Sequence, residues 1–350
     1  MKMRTLTALR AVQCRTFATS SRTSTQHLMS TADLSVPQMQ QLLTSAADYK
    51  SARAKAARSV GPQSQELSLA NKTIAMLFSK RSTRTRVASE SSIASLGGHP
   101  MFLGSSDIQL GVNESLLDSA KVISSMTDGI IARVNDHSEV ETLAKYSSVP
   151  VINALSHLYH PTQILAHLLA LLETYSPKDT SLSKLKGLKV AWVGDSNNIL
   201  NDMIVSFQRI GIDLNIATPE GYPLDQFVLD TATEGLRKES GDGKLLHTHS
   251  PEEAVKDADV LVTDTWISMG QEAEKAKRLK DFAGFQITMD LAKRGGAKPD
   301  WTFTHCLPRK QEEVDDEVFY SDRSLVFLEA ENRRHTITAV CDQYFAKGGF

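Results

Sequence analysis

The chain has 350 residues, enough for about two domains. Its 39 Lys and Arg against 41 Asp and Glu leave a formal net charge of -2, which argues against a dedicated nucleic-acid binder with its basic excess. No apolar run approaches the roughly 18 residues a membrane-spanning helix needs, and three cysteines (Cys14, Cys306 and Cys341) cannot make a disulfide framework.

Residues 1–32 contain no Asp or Glu but hold Lys2, Arg4, Arg10, Arg15 and Arg22 among many Ser and Thr. Arg-rich, Ser-rich and acid-poor is the composition of a mitochondrial transit peptide, and Leu6, Leu9, Val12 and Phe17 could form the apolar side of its helix. The expectation is a transit peptide and flexible N-terminus over 1–32, with the mature protein in the mitochondrial matrix. From there on, short apolar runs alternate with helical stretches. Candidate strands lie at 73–78, 129–134, 149–153, 188–193, 213–217, 259–263, 286–289 and 302–305. Most are nearly continuous apolar runs, as in strands buried on both faces of a parallel sheet. Residues 163–175 carry Ile164, Leu165, Leu168, Leu169 and Leu172 at helical spacing. The alternation predicts an α/β protein built of βαβ units. The polar, turn-rich stretch 177–187 is the boundary between two such halves; 235–244 reads as a surface loop or frayed helix end, and the chain after Leu328 as helical.

Nearly every polar cluster follows a candidate strand, and ligands of open α/β sheets bind beyond the carboxyl ends of strands. After 73–78 comes Ser79-Lys80-Arg81-Ser82-Thr83-Arg84-Thr85-Arg86, hydroxyls interleaved with guanidinium groups at a helix start. Ser82 is a suitable N-cap, and free N–H groups with arginines make a phosphate site. Arg133 ends a buried strand and needs a partner, either a bound anion or an internal carboxylate. His160-Pro161-Thr162-Gln163 opens the long apolar helix, with His160 as a neutral donor; a metal reading would recruit His157 and His167. Gly194-Asp195-Ser196-Asn197-Asn198 has one glycine where a dinucleotide turn has three, so that cofactor signal is missing. Its Asn side chains suit a polar substrate, or simply cap a turn. Asp264-Thr265-Trp266-Ile267-Ser268-Met269-Gly270 offers a carboxylate and a hydroxyl to an amino-acid head group, with a glycine that permits loop motion. In His305-Cys306-Leu307-Pro308-Arg309 the thiol is a nucleophile, a ligand or a core residue; strand neighbours point oppositely, so adjacency alone makes no dyad. Glu329-Ala330-Glu331-Asn332-Arg333-Arg334 reads as a solvated helix start.

Four of these segments, Ser82–Arg86, His160–Gln163, Asp264–Gly270 and His305–Pro308, occur in an order and with a spacing that resembles the carbamoyltransferase family, on its ornithine branch. The resemblance spans most of the chain beyond residue 32. It implies two doubly wound domains, each with a central parallel sheet, joined by interdomain helices. A carbamoyl phosphate-binding domain would occupy 33–165, completed by a C-terminal helix at 330–350, and an ornithine-binding domain 178–325. It implies transfer of a carbamoyl group from carbamoyl phosphate to the δ-amine of L-ornithine, giving citrulline and phosphate in arginine biosynthesis. Carbamoyl phosphate would be held by Ser82, Thr83, Arg84, Thr85, Gln109, Arg133, His160, Gln163, Cys306, Leu307 and Arg333. Ornithine would be held by Asn198, Asp264, Ser268 and Met269. Cys306, Arg133, His160 and Asp264 are the expected catalytic residues. Gln109 matches a position that reaches a neighbouring subunit's site, which implies a homotrimer with shared sites. No metal or organic cofactor is implied, nor any nucleic-acid or membrane partner. The alternatives are a carbamoyltransferase for N-acetylornithine, putrescine or aspartate, and a catalytically silent binding subunit.

Overall fold

A computed structural model describes residues 25–58, 67–104, 114–239, 241–267 and 274–350. The first half holds α1 (Val36–Ala56), β1 (Thr73–Phe78), α2 (Arg84–Ser95), β2 (His99–Gly104), α3 (Leu116–Met126), β3 (Gly129–Arg133), α4 (His137–Tyr146), β4 (Val151–Leu155) and α5 (Pro161–Tyr175). The second holds β5 (Lys189–Val193), α6 (Asn198–Ile210), β6 (Asp213–Ala217), α7 (Gln226–Glu239), β7 (Leu245–Thr248), α8 (Pro251–Val255), β8 (Val260–Thr263), α9 (Lys275–Asp281), α10 (Met289–Gly295), β9 (Thr302–His305), α11 (Asp316–Phe319) and α12 (Val326–Cys341). Seven of the eight predicted strands are present, with ends displaced by two residues at most. The eighth is not a strand. Ile287 makes one isolated bridge to Val314, and Thr288 then caps α10 by accepting from the Leu291 N–H at 3.0 Å. Two strands carried no signal in the sequence, β2 and β7. Both are sheet edges with partly exposed residues, and β2 contains Pro100, so neither shows the continuous apolar run of a central strand.

Both sheets are wholly parallel, in the orders β2-β1-β3-β4 and β7-β6-β5-β8-β9. This is a two-sheet doubly wound α/β architecture. In such sheets the chain reverses its direction of winding at one place, here between β1 and β3 and again between β5 and β8. Loops leave those strand ends in opposite directions and open a crevice. The first crevice therefore receives Ser79–Arg84 and Arg133, and the second receives Gly194–Asn198 and Asp264–Ile267. A single glycine suffices at the end of β5 because its task is close approach: a Cβ on Gly194 would lie 3.0 Å from Thr263 Oγ1.

Helices join the halves. α5 leaves the first sheet and packs against α6 of the second, and one apolar cluster runs continuously from Leu28 and Ile74 through Leu168 to Trp192 and Phe207. α12 returns from the end of the second half and packs on α1, α2 and α5. Beyond it, Phe345 lies so close to β3 that a Cβ on Gly129 would come within 2.3 Å of its ring.

Residues 25–32, assigned from sequence to the flexible N-terminus, are built into the fold. Leu28 is fully buried and bridges Ile152; its N–H donates to Val151 O at 3.0 Å and its carbonyl accepts from Asn153 N at 2.8 Å. Residues 1–24 lie outside the described residues. Asp202 on α6 ties this segment to the start of α5. One carboxylate oxygen accepts from Thr31 N at 2.8 Å and Thr31 Oγ1 at 2.7 Å, and the other accepts from His160 N at 2.5 Å. Replacing Asp202 by Asn is expected to cost about 1–3 kcal/mol, because either orientation of the amide leaves a buried backbone N–H without an acceptor. Denaturant unfolding checks this, and an unchanged midpoint would contradict it.

Candidate active site

Three guanidinium groups converge between the halves. Arg84 opens α2 at the end of the β1 loop. Arg133 ends β3 at a register shift between Ala132 and Arg133, a bulge of the kind that redirects a strand side chain. Arg333 comes from α12; it donates to Gln163 Oε1, and at 3.2 Å to both Thr85 Oγ1 and Thr162 Oγ1. Burial and mutual repulsion weaken the charged forms. Arg133 falls to about 10 through burial and then Arg84; Arg333 falls to about 9 through burial and then Arg133. Arg133 Nε and Arg333 Nε are buried without a hydrogen-bond partner. Buried like charges with orphaned donors are an unfavourable arrangement that an anion with several oxygens would relieve.

His160 sits at the rim of this cluster as the residue preceding α5. Burial, followed by Arg333, Arg133 and Arg84, holds its imidazole well below the usual histidine range. Burial and the arginines, rather than the helix N-terminus expected from the sequence, are the causes that keep it neutral. A neutral ring donates one hydrogen bond, and its Nδ1 lies 3.4 Å from Thr162 Oγ1. Of the two histidines that a metal would need, His157 Nδ1 accepts from His137 N at 3.1 Å, and His167 lies in the core with its Nδ1 3.4 Å from Glu329 Oε2. Among the described residues no group of three His, Cys, Asp or Glu is placed to hold a metal ion.

Ser82 Oγ accepts from Thr85 N at 3.2 Å, the expected capping bond, although the helix proper starts at Arg84 and Thr83 makes no side-chain cap. Thr85, Gln163 and Arg333 are buried, and Arg84 is partly exposed at the cleft. Arg84 Nη2 donates to the Leu307 carbonyl at 2.5 Å, which brings the β9 loop of the second half against the cluster. Leu307 has φ +60°, and its peptide bond to Pro308 is cis.

Across the cleft lie Asp264 and Cys306. Asp264 follows β8, is 8 % exposed, and accepts from Asn197 Nδ2 at 3.0 Å. Burial pushes its carboxyl up to about 6, with Glu313 adding to the rise; His305, the Thr265 N–H and Asn197 oppose it. Asn197 also caps α6, accepting from Ile199 N at 3.0 Å and Leu200 N at 3.2 Å. Asn198, the residue chosen from the sequence, donates from Nδ2 to Ser156 O at 2.6 Å across the two halves. Beneath Cys306, His305 accepts from Leu307 N at Nδ1 (2.9 Å) and meets Glu313 Oε2 at Nε2 (3.1 Å). Glu313 also accepts from Trp266 N at 3.2 Å, so one buried carboxylate braces the β8 and β9 loops together. Arg278 does similar work from α9: it pairs with Asp195 and donates to Trp266 O at 2.6 Å. Glu313 and Arg278 escaped the sequence reading, because each acts through a neighbour and neither lies in a segment that marks itself by pattern; Asn197, one of the two amides of the β5 loop, takes the turn-capping alternative and also holds Asp264. Gln109, Ser268 and Met269 lie outside the described residues.

Residues 26–173 match the family model described as aspartate/ornithine carbamoyltransferase, carbamoyl-P binding domain, and residues 186–343 match its Asp/Orn binding domain. The chain belongs to the aspartate/ornithine carbamoyltransferase family. Within this carbamoyltransferase family it is 56 % identical over 330 residues to the mitochondrial ornithine carbamoyltransferase of Emericella nidulans, covering 93 % of this chain and 90 % of that protein. The corresponding Schizosaccharomyces pombe protein is 48 % identical over 327 residues, covering 93 % and 95 %. Among solved structures, the mitochondrial ornithine carbamoyltransferase from Coccidioides immitis is similar with a TM-score of 0.84 at 47 % identity, covering 93 % of this chain and 99 % of that one. The Pyrococcus furiosus ornithine carbamoyltransferase gives 0.81 at 42 % identity, covering 91 % and 96 %.

Proposed function

We propose that this carbamoyltransferase moves the carbamoyl group of carbamoyl phosphate to the δ-amine of L-ornithine, releasing phosphate and forming L-citrulline. The observation that carries the reading is the convergence of Arg84, Arg133, Arg333 and neutral His160 opposite buried Asp264 and Cys306. The relatives named as mitochondrial ornithine carbamoyltransferases support both the acceptor and a mitochondrial protein.

In this reading the half built on 33–165, completed by 330–350, takes carbamoyl phosphate, and 178–325 takes ornithine. The phosphate sits on the start of α2 with Ser82, Thr83, Arg84 and Thr85, and Arg333 and Gln163 close the far side. A helix N-terminus and guanidinium groups recognise the dianion together. Arg133 and His160 donate to the carbamoyl oxygen and stabilise the charge that grows there during attack. The ornithine head group is held by Asp264 and Asn198, with Ser268 and Met269 following in the sequence. The δ-amine reaches the carbamoyl carbon beside Cys306 and the Leu307 carbonyl. An amine of this kind has a solution pKa near 10.4 and must lose a proton to attack, so a dry site that disfavours its charged form assists the step. Gln109 completes a neighbouring subunit's site in a homotrimer, and the mature enzyme works in the mitochondrial matrix.

The test is product formation by purified protein with carbamoyl phosphate and ornithine, and in parallel aspartate, N-acetylornithine and putrescine. Citrulline from ornithine with no turnover of the other three is expected. Turnover of another amine in preference would discard the acceptor assignment and keep the phosphate half.

A further inference from the structure

Glu329 opens the charged run that the sequence suggests is a solvated helix start, yet it is 1 % exposed on the inner face of α12. Its Oε1 accepts from Gln163 Nε2 at 2.5 Å and lies 3.9 Å from Cys306 Sγ, with the thiol as donor. Its Oε2 faces His167 Nδ1 at 3.4 Å, and His167 is itself fully buried on α5. Gln163 in turn accepts from Arg333. One carboxylate thus connects the arginine cluster to the sulfur beside the acceptor side of the cleft.

We propose that Glu329 is a positioning residue for the transfer: it takes the Cys306 S–H as a hydrogen bond, keeps the thiol protonated, and leaves the sulfur lone pairs facing the incoming amine. The inference rests on the reading of this cleft as the site of carbamoyl transfer to an amine, and extends it to a residue that does not touch substrate.

A thiol donates only weakly, so its best partner is an ionised acceptor. Burial alone would raise the Glu329 carboxyl, but His167 and the Gln163 amide outweigh burial and hold it below its ordinary value, so the acceptor is an anion. Conversely, the thiolate is the nucleophilic form of cysteine, and a thiolate here would compete with the amine for the carbamoyl carbon. Burial, then Asp264 on the same side of the cleft and then Glu329 push the Cys306 thiol well up, against the opposing Arg333 on α12 and Arg84 on α2. Besides the thiol, the titratable groups that act on Glu329 among the described residues are His167 on α5, His305 from β9 and Arg333 on α12 itself.

The test reads the thiol directly. Cys306 is alkylated with iodoacetamide in the intact enzyme, with modification mapped by mass spectrometry and Cys306→Ala as the unreactive control. Glu329→Gln removes the negative charge, and alkylation near neutral pH is expected to rise about tenfold or more, because each unit of thiol pKa changes the thiolate fraction tenfold. Glu329→Asp keeps the charge and is expected to stay slow. Ornithine turnover is expected to fall in kcat in Glu329→Gln and to be partly restored in Glu329→Asp. A folded Glu329→Gln that is alkylated at the wild-type rate overturns the proposal. Should Glu329→Gln not fold, the infrared S–H stretch of the wild type, isolated by subtracting Cys306→Ala, decides: a band moved to low frequency by a charged acceptor supports the bond, and a band at the free-thiol position overturns it. Neither the alkylation nor the infrared reading needs turnover. A wrong acceptor assignment would therefore show in the product assay and leave the thiol result standing.

Discussion

Arg84→Ala is expected to weaken carbamoyl phosphate binding by about 2–5 kcal/mol, roughly thirtyfold to several thousandfold, the usual cost of truncating one partner of a desolvated charge pair. Several effects set this size. Arg84 stands at the start of α2, where the helix N–H groups add to its pull on an anion. Its removal also relieves repulsion on Arg133 and on His160, both of which it disfavours in their charged forms, and this recovers part of the loss. The fold should survive, because Arg84 is partly exposed and its side chain donates to the Leu307 carbonyl rather than bracing the core. Titration calorimetry with carbamoyl phosphate separates the two effects. Normal affinity in a folded variant would move the phosphate away from α2.

The second large effect is expected at Asp264. Its carboxyl, lifted by burial to about 6, is ionised above that pH and can then pair with the ammonium of an amino-acid head group. As pH falls through about 6 the carboxyl takes a proton and the attraction is lost, so kcat/KM for ornithine should decline on the acid side. Asp264→Asn should lower kcat/KM by about a hundredfold or more at neutral pH, the loss of one buried charge partner, and should also remove that acid limb. A pH–rate series from about pH 5 upward shows both, since kcat/KM reports groups in the free enzyme. An acid limb that persists unchanged in Asp264→Asn would assign it to another group and remove Asp264 from head-group recognition.

These effects depend on residues of very different visibility in the sequence. Arg84, His160, Asp264 and Cys306 stand directly after apolar strand-like runs or before an apolar helix, so local pattern marks them. Arg133 is visible because a charge inside a buried strand demands a partner. Arg333 sits in a run with four other polar or charged residues, Glu329, Glu331, Asn332 and Arg334, and composition cannot separate the buried Glu329 and Arg333 from the exposed Glu331. That distinction depends on which face of α12 meets α2 and α5, a matter of packing between elements far apart in the chain. Asn197 and Asn198 illustrate the same limit at one residue's resolution: adjacent amides of the same type, of which the first caps α6 and holds Asp264 while the second reaches Ser156.

By itself the sequence determined the α/β class, the central strands and the order of the phosphate- and acceptor-facing segments. Each is encoded in local runs: continuous apolar stretches make central strands, and polar clusters at their carboxyl ends make loops. The edge strands β2 and β7, the docking of 25–32 onto the fold through Leu28 and Thr31, and the buried braces Asp202, Glu313 and Glu329 were decided only by tertiary structure. An edge strand is fixed by its neighbour's hydrogen bonds, and a buried charge is tolerable only where partners from distant segments meet it. The convergence of three arginines from β1's loop, β3 and α12 belongs to the same class, since nothing short of the folded crevice brings residues 84, 133 and 333 to one place.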